Sequence, residues 1–143
     1  MGVVVVGIDG SDASINALRF AVDESRLRSA RLRIVCAWTL PVGNEGLGTS
    51  WPDPSVYERG AQHAIDAAMT AIGRELEGIE VEPRVVLGGG ASALLENCSD
   101  AALVVVGSRG HGGFTGLLLG SVSQQVVLHA PCPVAVVRHV ETD

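Results

Sequence analysis

Ala101-Ala102-Leu103-Val104-Val105-Val106-Gly107-Ser108-Arg109-Gly110, then nine residues, then Gly120-Ser121-Val122-Ser123 is the stretch that decides the fold. The apolar run from Ala101 to Val106 has the pattern of a buried strand, and glycines directly after it let the backbone approach a bound group without Cβ interference. Gly120-Ser121 reads as a helix start, where unpaired backbone N–H groups and the helix dipole favour an anion. Two glycine turns therefore bracket one anion site; the alternative is a strand-to-helix connection that holds no ligand.

The same strand, turn and helix succession runs outward through the chain. Val3 to Ile8 is an apolar, valine-rich strand ending in the turn and cap formers Asp9-Gly10-Ser11-Asp12. The next helix places Ile15, Leu18 and Val22 with Ala17 and Ala21 on one face, and Arg19, Asp23, Arg26 and Arg28 mainly on the other. Leu32 to Trp38 reads as a second strand. Thr39 to Pro54 gathers prolines and glycines without periodicity, and irregular loops beyond about 12 to 15 residues are usually functional lids or poorly ordered segments. Both readings stand for this loop, with Trp51 as an anchor. Helical spacing predicts Val56 to Leu76 with a stop at Gly78, then a strand over Val81 to Leu87, the triple glycine Gly88-Gly89-Gly90 and a short helix over Ser92 to Cys98. After the glycine loop come a helix over Ser121 to His129 and a last strand over Val134 to Arg138.

Such alternation gives an α/β fold with an open, Rossmann-like sheet, because crossover helices return the chain to the same end of the sheet and make the strands parallel. Ligands in these sheets bind outside the carboxyl ends of the strands, where the strand order reverses. Asp9 and Gly107 both lie at that edge. Asp9 has two readings, ligand contact and helix cap.

Composition narrows the function. At 143 residues the chain fits one domain over 1–143, and 47% hydrophobic content with only 3% aromatic residues points to a core of Val, Leu, Ile and Ala. The net charge of −6 with no basic cluster argues against nucleic acid as a partner. No run approaches the roughly 20 apolar residues of a membrane span, and a cytoplasmic protein without a membrane partner is the expectation. Cys36, Cys98 and Cys132 lack the spacing of a zinc or redox motif and read as buried structural thiols. His63, His111, His129 and His139 are isolated and read as surface or packing residues, with a phosphate contact open to His111 alone.

The chain resembles the universal stress proteins in their ATP-binding branch. Gly107, Gly110, Gly120 and Ser121 satisfy the family signature G-x2-G-x9-G-[ST], and Val5-Val6-Gly7-Ile8-Asp9-Gly10-Ser11 and His129-Ala130-Pro131-Cys132-Pro133-Val134 are similar to the family's N-terminal and C-terminal segments. The resemblance implies a five-stranded parallel sheet in the order 3-2-1-4-5, helices on both faces, and ATP across the ends of the first and fourth strands. It implies Asp9 beside the ribose and phosphates, Gly7 and Ile8 on the same wall, Ala37 near the adenine and Val106 packed against the base. It also places the phosphates against backbone N–H groups of Gly107, Ser108, Arg109 and Gly110 and of Ser121 and Val122, with the Ser121 hydroxyl and the Arg109 side chain as further donors. The Gly88 to Ala91 junction departs from the family, where many members carry proline, and is expected to affect loop geometry rather than binding.

The implied function is an ATP-dependent regulatory switch in the stress response. Mg²⁺ comes with the nucleotide, and Asp9 is the one nearby carboxylate. Two alternatives share the site. One is a slow ATPase or autophosphorylating protein with Ser121 as acceptor, set against the absence of a loop lysine and of a P-loop motif. The other is a binder of AMP, cyclic AMP or another adenine nucleotide. No catalytic residue is assigned. The apolar terminal segment Pro133 to Val140 lies at a sheet edge in this order and predicts a homodimer through edge pairing.

Overall fold

The computed structural model describes residues 2–40, 53–108 and 119–138. The elements are β1 (Val3–Ile8), α1 (Asp12–Arg28), β2 (Arg31–Trp38), α2 (Pro54–Ile72), a short 3-10 turn (Gly73–Leu76), β3 (Val81–Leu87), α3 (Gly90–Glu96), β4 (Ala101–Gly107), α4 (Ser121–His129) and β5 (Val134–Val137). The strands form one parallel sheet in the order β3-β2-β1-β4-β5, as expected.

Period-two alternation along the strands divides the core in two. Val4, Val6 and Ile8 of β1, Leu32, Ile34 and Cys36 of β2, and Leu103 and Val105 of β4 pack with the inner faces of α1 and α2. Val3 and Val5, Val35, and Val104 and Val106 pack on the opposite face with Ala93 and Leu94 of α3 and Val126 of α4. The central strands are covered on both sides, so β1 reads as a continuous apolar run, and Val3, Val4, Val5 and Val6 have no solvent exposure. α1 seats Ala17, Leu18, Ala21 and Val22 against the sheet, while Ile15 is only partly buried. No helix among the described residues is long and apolar enough to cross a membrane.

Element boundaries differ from expectation where glycine and proline act. The loop expected to run through Pro54 ends at Asp53, whose side chain caps α2 with Pro54 in the first turn. Proline costs nothing there, because its missing N–H is one that a helix start leaves unpaired. The helix expected to reach Leu76 leaves α geometry at Gly73, which has φ +47, and finishes as the 3-10 turn. α3 begins at Gly90, inside the triple glycine that read as a turn, so Cys98 lies beyond its end. Of the cysteines, Cys36 and Cys98 are buried, but Cys132 is only half-buried. His63 and His129 are exposed. Trp51 and most of the Thr39 to Pro54 loop, His111 and His139 lie outside the described residues.

Candidate functional site

The carboxyl ends of β1 and β4 lie side by side at the centre of the sheet, where the strand order reverses. After β1 the chain turns sharply through Gly10, whose φ of +87 suits glycine. Ser11 then caps α1, its Oγ accepting from the Ser14 N–H at 3.2 Å. Asp9 Oδ1 accepts from the Ser11 N–H at 2.9 Å and from the Ser11 hydroxyl. Asp9 is therefore not the helix cap; it holds the capping serine, and its carboxylate stays exposed beside the end of β4.

Ser108 organises the β4 side. It is buried, donates its N–H to the Val137 carbonyl at 2.8 Å, and accepts from the Gly120 N–H at 2.7 Å. The chain leaves β4 and starts α4 at one point in space. Ser108 spends its N–H inside the sheet, on the carbonyl of Val137 in β5. Arg109 and Gly110 lie outside the described residues. Gly120 is the N-cap of α4 and supplies no side-chain acceptor, unlike Ser11 of α1 and Asp53 of α2. The first helical bond runs from the Gln124 N–H to the Gly120 carbonyl at 3.0 Å. Ser121 and Val122 are exposed in the first turn, where uncapped N–H groups and the dipole attract negative charge.

The sheet surface below this helix start is made of small and apolar residues on the α3 and α4 side. Ala37 and Val106 both belong to that cluster. Gly7 faces the same way, since a Cβ added to it would lie 2.8 Å from Leu94 Cδ1 of α3. Ile8 points to the α1 and α2 face. Gly7 and Ile8, expected on one wall, are thus separated by strand alternation, and Gly7 is pressed against α3. A residue that sequence reasoning set aside also borders the site: a Cβ on Gly90 would lie 3.1 Å from Val122 Cγ2, so the start of α3 abuts the first turn of α4. The triple glycine was the available signal.

Electrostatics tie Asp9 to β2. The Cys36 thiol, level with Ile8 across the sheet, is pushed up to about 11 by burial and, secondarily, by the Asp9 charge. Among the described residues no group of three or more His, Cys, Asp or Glu is placed to hold a metal ion. The strongest charge network lies at the opposite end of the sheet. Arg33, only 8% exposed, donates to Asp100 at 2.8 and 3.1 Å, to Glu82 at 3.0 Å and to the Asn97 carbonyl at 2.8 Å. It binds β2 to β3 and to the turn before β4, a structural role that its place in an apolar strand did not announce.

Comparison with known proteins agrees with this fold. The family model described as "Universal stress protein family" matches residues 1–138. A universal stress protein of Mycolicibacterium smegmatis is 39% identical over 136 residues, covering 94% of this chain and 45% of that protein. One of Mycobacterium tuberculosis is 33% identical over 141 residues, covering 96% and 48%. The chain thus spans about half the length of these relatives. A universal stress protein solved in complex with cAMP superposes with a TM-score of 0.72 at 28% identity, covering 98% of each chain. One from Archaeoglobus fulgidus in complex with dAMP gives 0.67 at 27% identity, covering 95% of this chain and 96% of that one. The chain belongs to the universal stress protein family.

Proposed function

We propose that the chain is an adenine-nucleotide-binding regulatory protein with ATP as its ligand, and that nucleotide occupancy alters the surface shown to a partner. The observation that carries this reading is the glycine-started, uncapped N-terminus of α4, tied to the end of β4 by the bond from the Gly120 N–H to the Ser108 carbonyl. In this reading the Ser121 and Val122 N–H groups and the Ser121 hydroxyl receive the phosphates, with Gly107, Arg109 and Gly110 on the approach. Ala37 and Val106 flank the adenine, and Asp9, held by Ser11, meets the ribose. Residues 1–143 act as one domain, in a cytoplasmic protein.

Mg²⁺ fits only as a companion of the nucleotide: Asp9 is the carboxylate proposed at the site among the described residues, and Mg²⁺ leans on phosphates and keeps several waters. Binding rather than turnover is the event, since the chain has no lysine to neutralise charge on a transferring phosphoryl group. Isothermal titration with ATP and Mg²⁺ tests the reading; no heat and no thermal shift at millimolar nucleotide would sink it. A shorter ligand is the second reading, favoured by the cAMP and dAMP complexes of the structural relatives. Titration with ATP, AMP and cyclic AMP side by side separates the two. A slow ATPase requires phosphate release that survives repurification and disappears in Gly120→Val.

We further propose a homodimer through β5. The two sheet edges differ: β3 carries Pro83, Glu82 and Arg84, which discourage pairing, while β5 is Val134-Ala135-Val136-Val137, half-buried throughout. Sedimentation showing only monomer at micromolar concentration refutes the dimer.

A further inference from the structure

Two successive peptides at the entry to α4 are held in place by β4 and by the helix itself. The peptide joining Leu119 to Gly120 gives its N–H to the Ser108 carbonyl at 2.7 Å, and its own carbonyl accepts from the Gln124 side-chain Nε2 at 3.1 Å. The carbonyl of the next peptide, on Gly120, accepts from the Gln124 main-chain N–H at 3.0 Å and from the Ser123 hydroxyl at 3.1 Å. Gln124 therefore grips both carbonyls. A trans peptide is planar, with its N–H and C=O pointing in opposite directions, so a Gly120 carbonyl turned into the helix sends the Ser121 N–H out of the helix start.

The polar side chains of this turn work in the opposite sense to those of α1 and α2. Ser11 accepts the Ser14 N–H and Asp53 accepts the Ser55 N–H, each covering a first-turn donor. In α4, Ser123 and Gln124 donate to carbonyls instead and Gly120 offers no side chain, so the donors stay uncovered while the backbone that carries them is fixed. Gly120, extended at φ −73 and ψ 169, has no Cβ to restrict it, and the restraint comes from these neighbours.

We propose that Gln124 is a positioning residue of the phosphate site: its side chain fixes the peptide joining Leu119 to Gly120 and so aims the Ser121 and Val122 N–H groups, without touching the ligand. This role rests on the adenine-nucleotide reading of the site. Glutamine suits it because the amide donates to a carbonyl. Glutamate of nearly the same length has no proton to give at neutral pH and brings a negative charge toward the phosphates, and methionine has neither donor nor charge. Gln124 is exposed, so losing its side-chain bond leaves both partners within reach of water and costs the fold little.

The unaltered protein, Gln124→Met and Gln124→Glu test the role together. Amide NMR of the nucleotide-free proteins reads the backbone, a melting scan reads the fold, and calorimetric titration with ATP and Mg²⁺ reads the site. In Gln124→Met the amide resonances of Gly120, Ser121 and Val122 should move while that of Ser14 in α1 stays in place. Its melting temperature should remain near that of the unaltered protein, and ATP should bind about three- to tenfold more weakly. Gln124→Glu should bind ATP more weakly still, because its carboxylate repels the phosphates, yet its melting temperature should not fall, since the helix dipole favours acidic charge near this end. Equal ATP affinity in the unaltered protein and Gln124→Met overturns the positioning role and leaves the nucleotide reading standing. Unmoved amides, or an affinity loss that comes with a large fall in melting temperature, also overturn it. An unaltered protein that binds no nucleotide overturns the reading of the site and the role with it.

Discussion

Replacing Gly7 with alanine separates a packing role for this residue from a ligand-contact role. The added Cβ would lie 2.8 Å from Leu94 Cδ1, 3.1 Å from Cδ2 and 3.3 Å from Cγ. The nearest atoms are the tip of a flexible side chain, but the Cγ contact and the 3% exposure of Leu94 leave that tip little room to turn away. Overpacking of this kind costs about 1–3 kcal/mol. Loss of glycine's freedom in the unfolded chain returns about 0.4–1 kcal/mol, so Gly7→Ala should destabilise by about 1–2 kcal/mol net. In a Leu94→Ala background, itself destabilised by about 2–5 kcal/mol, the clash is gone and Gly7→Ala should be neutral or stabilising by up to about 1 kcal/mol. Urea denaturation of the four proteins measures the coupling. Equal effects of Gly7→Ala in both backgrounds would refute the claim that β1 carries glycine there to admit α3. Nucleotide titration of the same four proteins adds the functional reading: affinity lost in Gly7→Ala and regained in the double variant places the effect in α3, not in direct contact.

The remaining predictions concern charge and protonation. Arg33→Met removes the hub that joins Glu82, Asp100 and the Asn97 carbonyl and should cost about 3 kcal/mol, the lower end for a broken buried pair because Asp100 can be resolvated. Arg28→Ala breaks only the surface pair with Glu24 and should cost under about 0.5 kcal/mol; comparable losses for the two by denaturation would remove the distinction. The Arg33 hydrogen bond holds the Asp100 carboxyl below its usual 3.8. A depressed carboxylate contributes stability that is present above the unfolded value and lost as pH falls through the folded one, so melting scans below about pH 4 should fall less steeply in Asp100→Asn. Cys36 is raised from 9.0 to about 11, so its contribution is present below the lower value and lost as pH rises through the upper one. Cys36→Ala should flatten the decline of melting temperature across that window, and an unchanged slope would show that the thiol is not held protonated by the fold.

Strand and helix identities were legible because local spacing carries them. The apolar runs of β1 and β4 admit only buried strands, and Asp9-Gly10-Ser11 and Gly120-Ser121 are punctuation whose backbone chemistry acts within a few residues. The boundaries of α2 and α3 were less legible, since proline and glycine act as helix starts or as breakers depending on whether a cap or a neighbouring helix is present. The glycine and serine positions of the proposed anion site also stood out, because the same residue types that shape a turn expose backbone N–H groups.

The sequence alone determined the α/β succession, the apolar palette of the sheet and a glycine-bounded helix start at the end of β4. All of these follow from propensities and periodicities that act over short chain distances. Only the tertiary structure decided what depends on residues distant in the chain becoming neighbours. It turned Gly7 toward Leu94 and Ile8 to the other face, gave the Ser108 N–H to β5 and its carbonyl to Gly120, and made Arg33 a buried hub. Such pairings are settled when the sheet assembles and buries its apolar faces, and no stretch of the chain taken singly holds the energy that selects them.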